Sequence, residues 1–352
     1  MLDSLYAEAV RKKGLVNDIV DEFSENDSKI FDRWNEEFIP QSSDEFSIAA
    51  GDGSFNKKKF LSFYFYAIAC ESLIFDKKLE KIENVEIETI SHHRFSEDLL
   101  RSYMGLFEAK SALKVLEEYD VDYYLYDGSL FGDLIRPYPS GAELSAKLKQ
   151  DVIDNCIDDL EEEIQNFNVN LYSEDLINKY FKIYSNKFEL KVFLSNLEKL
   201  MVIKALLKYK KNIIAISKSS ISNEFFESNI PDIAVFDKYT NKEGFSNLIY
   251  KDLSSEIKHV FPIEDDFFKS LKFTIFYLRL EDKKNILKVE IPYEVDIDDV
   301  IDIIGKLKKF STDGYPYLLK KAHKDVVISD RNIEELSNIV NFYEKSGREM
   351  LK

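Results

Sequence analysis

Cysteine is nearly absent from these 352 residues. Cys70 and Cys156 are too few and too far apart for a disulfide framework or a cysteine-built zinc site, so a reducing, cytoplasmic setting is expected. Long apolar runs are missing as well. The richest, Phe60–Cys70, falls far short of the roughly 20 residues that a membrane-spanning helix needs. The opening segment, MLDSLYAEAVRKKG, mixes acids with bases and lacks an apolar signal core, which argues against an export signal. Neither internal repeats nor low-complexity tracts occur. Basic charge is short too: 48 Lys and Arg face 65 Asp and Glu, for a formal net charge of −17. Such a chain repels a polyanion as a whole. Any nucleic acid would have to be held locally, by metals and a basic strip, or with a partner's help.

What is present describes a folded protein, with 45% hydrophobic and 32% charged residues. The length suits one large core or two modest ones. Leu5, Ala9, Ile19, Val20 and Phe23 recur at helical spacing, and a second helical segment is expected around Ile30, Phe31 and Trp34. After the polar stretch Pro40–Ser47, Ile48–Gly51 reads as a strand ending in Asp52-Gly53-Ser54. Phe60–Cys70 and Ser72–Phe75 read as two more strands in a meander. Ser96–Tyr119 reads as a helix with Leu99, Tyr103, Leu106, Leu113 and Leu116 near one face. Val121–Tyr126 is a strand running into Asp127-Gly128-Ser129.

Past Pro137 and Pro139 the texture changes. Leu144, Leu148, Val152, Cys156, Leu160 and Ile164 repeat every four residues, and Glu174–Lys211 is a second, more apolar helical stretch. Together they imply an antiparallel arm that packs on the core or on a second subunit. Its second helix has more apolar surface than one packing face requires, which points to a dimer contact. Strands return at Asn212–Ser217, Asp232–Phe236, Lys272–Leu280 and Ile286–Ile291, the last two joined through Asp282–Asn285. Pro316 is placed to open a helix to about Lys324, and Ser329 to cap a final helix ending near Gly347. The chain thus divides into an N-terminal helical segment (1–44), the first part of a core (45–140), a helical arm (141–211) and the rest of the core (212–352).

Asp-Gly-Ser occurs twice, each time after an apolar strand. An acid there sits beside the sheet and reaches solvent, and the glycine lets backbone, metal or phosphate approach. A plain turn explains either copy alone. Glu108 lies mid-helix beside the buried stripe, where an exposed glutamate paired with a lysine is the bland alternative. The order carries more weight. An acid on a first strand, two further strands, an acid on a helix and an acid on the next strand is the layout of a ribonuclease H-like α/β fold, with a mixed sheet and helical insertions. Three converging carboxylates need cations to neutralise them, and hard oxygen ligands suit Mg²⁺ or Mn²⁺. Two such ions serve phosphoryl chemistry. His323, on the helix opened by Pro316, is a candidate fourth ligand or proton shuttle, with a surface histidine as the alternative. Lys218, after the strand at Asn212–Ser217, could neutralise a phosphate or simply be solvated. Lys57-Lys58-Lys59, Arg94, Arg101, Arg136 and Lys208–Lys211 are candidate basic strips near the site.

Asp52-Gly53-Ser54, Glu108, Tyr126–Leu130, Gly314-Tyr315-Pro316 and Ala322-His323, in this order, resemble the NurA nuclease family. Phe276–Leu280 and Val289–Pro292 are similar to that family's hairpin. The resemblance spans about residue 45 to residue 330. It implies a homodimeric Mn²⁺-dependent 5′-to-3′ exonuclease that also cuts single-stranded DNA internally. It also implies a partnership with the hexameric translocase HerA in end resection for recombinational repair. Carried over, Asp52, Glu108 and Asp127 would bind metal, with His323 completing the site, Tyr315 supporting it and Lys218 assisting. Two rivals remain. An actin-like or sugar-kinase-like ATPase shares the core topology, but 11 glycines leave little room for its two phosphate loops. A catalytically inactive scaffold docking on a DNA motor would not need the intact set of acids.

Overall fold

The computed structural model describes residues 3–21, 30, 32–136, 144–184, 187–227 and 229–342. Phe23, Phe31, Pro137, Pro139, Gly141 and Gly347 lie outside them. Helix α1 is Asp3–Asp21, and its apolar positions Leu5, Val10 and Leu15 face solvent. The strands are β1 (Trp34–Asn35), β2 (Ile48–Lys59), β3 (Phe63–Phe75), β4 (Leu79–Ser91), β5 (Tyr123–Asp127), β6 (Ile213–Ser217), β7 (Gly244–Ser246), β8 (Ile249–Asp252), β9 (Lys272–Arg279) and β10 (Leu287–Ile291), with a small β11–β12 pair at Ser311–Thr312 and Tyr315–Pro316. After β4 come helices α2 (Ser96–Glu118), α3 (Leu130–Ile135), α4 (Ala146–Gln165), α5 (Ser173–Tyr180) and α6 (Lys187–Leu206). They are followed by α7 (Asp232–Tyr239), α8 (Leu253–Glu256), α9 (Asp265–Lys269), α10 (Ile297–Lys309), α11 (Tyr317–Val326) and α12 (Asp330–Ile339).

One mixed sheet organises the chain, in the order β1-β7-β9-β10-β6-β5-β2-β3-β4, with β8 beside β9. Only β2/β5 and β5/β6 are parallel, and the other pairs are antiparallel. Each face is covered by helices because central strands are apolar on both sides. Ala49, Tyr124 and Tyr126 face α2, α4 and α6, whereas Ile48, Ala50 and Leu125 face α10 and α11. Strands before and after the long helices thus share one sheet, as an α/β fold with helical insertions requires.

Several elements differ from the sequence reading. Trp34 lies in β1, opposite Ser246, because its ring fills an aromatic cluster with Phe225, Phe236 and Tyr277. Phe63–Phe75 is a single strand, and the third strand of the meander is β4, which sequence reading missed. Its β-branched residues Ile82, Val85, Ile87 and Ile90, set among Lys and Glu, were the available signal. Asp232–Phe236 is helical. Pro231 precedes it, and the Asp232 carboxylate accepts the N–H groups of Phe225 and Phe226, tying the helix start to the preceding turn.

Glu174–Lys211 is not one helix but α5, α6 and a 3₁₀ turn at Leu207–Asn212. The apolar surplus of α6 is used within the chain: Leu190, Leu194, Leu197 and Val202 are buried against α2, α4 and the sheet. Glu198 on the same helix is buried too, paired with Lys110 of α2. That surplus therefore gives no reason of its own for a second subunit.

Candidate metal centre

The site forms at the C-terminal ends of the parallel strands β5 and β6, the edge where open α/β sheets place ligands. Pairing of β2 with β5 ends at Gly51↔Tyr126, whereas β2 runs on to Lys59. Asp52 is thus mid-strand, not at a strand exit as expected. Its neighbour on β2 has lost β5 as a cover, which opens a gap beside the strand. Asp127 is the last residue of β5, and Asp52 and Asp127 share the face that carries α11.

Glu108 comes from the opposite face, on α2. A Cβ at position 53 would stand 2.6 Å from Glu108 Oε1 and 2.9 Å from Met104 Cγ, so Gly53 is what lets the helix bring its carboxylate to the strand. Gly128 has a different job: its φ of +114° turns the chain out of β5, and nothing crowds its missing side chain. The two Asp-Gly-Ser copies therefore need glycine for unrelated reasons. In the second copy, the buried Glu290 of β10 accepts hydrogen bonds from Ser129 Oγ at 2.5 Å and Phe131 N–H at 2.9 Å. Lys288 Nζ lies 2.9 Å from Glu290 and balances its charge. Glu290, Lys288 and Ser129 hold the turn that presents Asp127. Sequence reasoning overlooked this pair because a Lys and a Glu two apart on a strand look like a solvated face.

Each strand acid is met by a cationic or donor group. Asp52 accepts the Gly53 N–H at 2.9 Å and His323 Nδ1–H at 2.6 Å. Asp127 accepts from Lys218 Nζ at 3.0 Å, and that ammonium lies 5.3 Å from the centre of the Tyr315 ring. Tyr315 Oη is buried without a hydrogen-bond partner among the described residues. All six residues singled out from the sequence therefore gather at one end of the sheet.

The electrostatics match this convergence. Burial, then the charges of Asp52, Asp127 and Asp133, hold the Glu108 carboxyl well above the usual carboxylate range. Burial also raises Asp127, opposed by Lys218 and reinforced by Asp52. Tyr315 is pushed up by burial and by Asp127 and Asp52. Among the described residues, no three His, Cys, Asp or Glu side chains stand close enough to hold one ion as they lie. Asp52 and Asp127 pair instead with His323 and Lys218. The donor set still fits a hard divalent ion. It consists of carboxylate oxygens, and among the described residues nothing hydrogen-bonds to Glu108, whose charge is costly unless a cation joins it.

A cleft of about 340 Å³ opens beside Glu108, Asp127, Gly128 and Ser129, with Arg101, Arg136 and Lys199 on its walls. Arg101 on that wall pairs with Glu97 at 2.9 Å, as does Lys57 at 2.8 Å, and Lys58 contacts Ser337. Lys208–Lys211 stand at the far end of β6 from Lys218, about 16 Å along the strand. They are not a strip near the site.

The model of the NurA domain matches residues 46–328. A probable DNA double-strand break repair nuclease NurA from Methanocaldococcus jannaschii is 30% identical, over 97% of this chain and 88% of that protein. The DNA double-strand break repair nuclease NurA of Saccharolobus solfataricus is also 30% identical, over 89% of this chain and 86% of its own length. The crystal structure of the NurA nuclease from Sulfolobus solfataricus superposes with a TM-score of 0.76 at 25% identity, covering 97% of this chain and 96% of that one. A crystal structure of NurA bound to dAMP and manganese gives a TM-score of 0.71 at 19% identity, with all of both chains covered, and so shares the fold. With the matched domain spanning most of the sequence and the carboxylates brought to one sheet edge, this chain belongs to the NurA family.

Proposed function

We propose that the chain is a metal-dependent DNA nuclease, a 5′-to-3′ exonuclease that also cuts single strands internally, built on a ribonuclease H-like core. The observation that carries this reading is the approach of Asp52, Glu108 and Asp127 to one end of the sheet from a strand, a helix and the next strand. The fold reading is supported by the run β4-β3-β2-β5-β6, in which β3 alone opposes the other four. The substrate is supported by the relatives named as DNA double-strand break repair nucleases.

Asp52, Glu108 and Asp127 would hold the metal, with His323 completing the set. Mn²⁺ is favoured by the imidazole and by the solved NurA that contains manganese, and Mg²⁺ is the alternative. Two such ions would supply charge neutralisation and an activated water for attack on a phosphodiester. The protein's own groups do the rest. Lys218 leaves Asp127 to neutralise a phosphate oxygen, and Tyr315 offers its unpartnered hydroxyl at the same point. His323, tethered to Asp52, orients that carboxylate and can carry a proton. Work as a homodimer with a HerA-type hexameric translocase in end resection follows from the family resemblance and is part of this proposal, as is a cytoplasmic setting, which rests on the scarcity of cysteine. No helix among the described residues is long and apolar enough to cross a membrane.

End-labelled single and double strands incubated with Mn²⁺, Mg²⁺, Ca²⁺ or chelator test the reading. Stepwise loss of label from 5′ ends in Mn²⁺, absent in chelator, is expected. Intact DNA in every metal, from a folded protein, would reject it.

A further inference from the structure

The cleft beside Glu108 and Asp127 has a neighbour across α3. A second cleft of about 640 Å³ opens between α3, α4, α6 and the segment 259–262, and the two share Asp133, Arg136 and Lys199 as walls. The second cleft reverses the charge of the chain. Among the described residues, Arg136, Lys149 and Lys199 line it against a single carboxylate, Asp133, on a protein of net charge −17. Lys199 is tied to Asp133 at 2.8 Å. Arg136 and Lys149 have no acid at ion-pair distance among the described residues, although the chain has 65 acids to offer.

The floor between these cations is apolar, formed by Ile153, Phe193 and Leu200, and the Lys149 ammonium stands 5.8 Å from the centre of the Phe193 ring. Unpaired cations along an apolar trough are the chemistry that recognises a nucleic-acid strand, with phosphates at the rim and base faces below. A cleft in this size class takes about one or two nucleotides of a single strand and no duplex.

We propose that this second cleft grips the single strand adjoining the nucleotide at the carboxylates, so that Arg136 and Lys199 mark the passage from cutting to holding. The proposal rests on the nuclease reading and supplies the local grip that the bulk charge denies. Arg136 belongs to both clefts, whereas Lys149 touches only the second and lies outside the cutting machinery.

Lys149→Glu and the gentler Lys149→Gln, in the full chain, test it with two readouts. Fluorescence anisotropy in chelator measures binding of a labelled oligo-thymidylate about 12 nucleotides long across a salt series. Turnover of bis-p-nitrophenyl phosphate in Mn²⁺, a diester too short to reach the second cleft, reports the cutting site alone. Lys149→Glu should weaken oligonucleotide binding about tenfold and lower the salt slope by roughly 0.7, the value of one phosphate contact on a single strand. Lys149→Gln should fall between it and wild type, and both should keep the small-diester turnover and melting temperature. Unchanged oligonucleotide affinity and salt slope in a wild-type background that cuts DNA would overturn the cleft assignment and leave the nuclease standing. Equal losses in both readouts would overturn it as well, by marking general damage. A folded wild type that cuts neither substrate would remove the nuclease reading, and the proposal with it.

Discussion

At the residue scale, the proposed metal ligand Glu108 also bears on stability. In the metal-free protein its folded-state pKa lies above its unfolded value, through burial and the charges of Asp52, Asp127 and Asp133. A raised carboxyl contributes stability that is fully present below the ordinary carboxylate range and is lost as pH rises through the folded value. Glu108→Gln, neutral at every pH, should match wild type in chelator near pH 4 and melt at a higher temperature as pH approaches about 8. A melting difference that does not change with pH would contradict the burial argument. His323 is tested by metal choice. With the imidazole gone, His323→Ala should turn over more slowly, and the advantage of Mn²⁺ over Mg²⁺ should shrink, since nitrogen ligation favours the transition metal. An undiminished Mn²⁺ preference would remove His323 from the ligand set. These residues were legible because acids after apolar strands and a lone histidine on a late helix are unusual placements. The partners were not. That Asp52 meets His323, 271 positions away, depends on how α11 crosses β2, which no local pattern records.

At the element scale, the turn after β5 hangs on Glu290. Glu290→Ala would leave Lys288 buried without its counter-charge and strand the donors of Ser129 and Phe131. Breaking one side of a buried pair costs about 3–5 kcal/mol, and here it also frees the residue that presents Asp127. Melting should fall by several degrees, and cleavage should fall further than stability does. Glu290→Gln, which keeps the hydrogen-bond geometry, should recover most of the activity. Equal activity in Glu290→Ala and wild type would show that the turn holds itself. Helices with strong caps or one apolar face were readable in advance: the Ser329 cap and the four-residue repeat of α4 both appear where the pattern places them, although the helix that Ser329 opens stops at Ile339, short of the expected end near Gly347. The failures were of two physical kinds. β4 is an edge strand with only one side of its ladder paired, so its polar residues outnumber its apolar ones, which fall on both faces and leave no clean period of two. Asp232–Phe236 carries Ile, Val and Phe, which favour strands by composition, yet a proline start and a tethered Asp232 decide for helix.

At the scale of the whole molecule, charge is the governing quantity. A chain of net charge −17 gains little from phosphates beyond its cleft cations, so the free protein should hold duplex DNA weakly at about 150 mM salt and cut in short bursts. A ring-shaped translocase that threads DNA would replace affinity with local concentration. Digestion length should therefore rise when the motor and ATP are added. Tight unaided binding, with no change in digestion length, would show that the charge argument is wrong. The proposed dimer would likewise have to use surface other than the inner face of α6, which the chain itself covers. The central claim, that three carboxylates from three elements form one metal-dependent cutting site, meets its most direct test in one measurement. That measurement is the rate of 5′-labelled single-strand cleavage in Mn²⁺ by wild type, Asp52→Asn, Glu108→Gln and Asp127→Asn, each shown to be folded by its melting curve. Loss of a metal ligand should lower the rate about a thousandfold or more in every variant, with melting in chelator equal to or above wild type. A variant that stays folded and cuts within a few-fold of wild type would contradict the assignment.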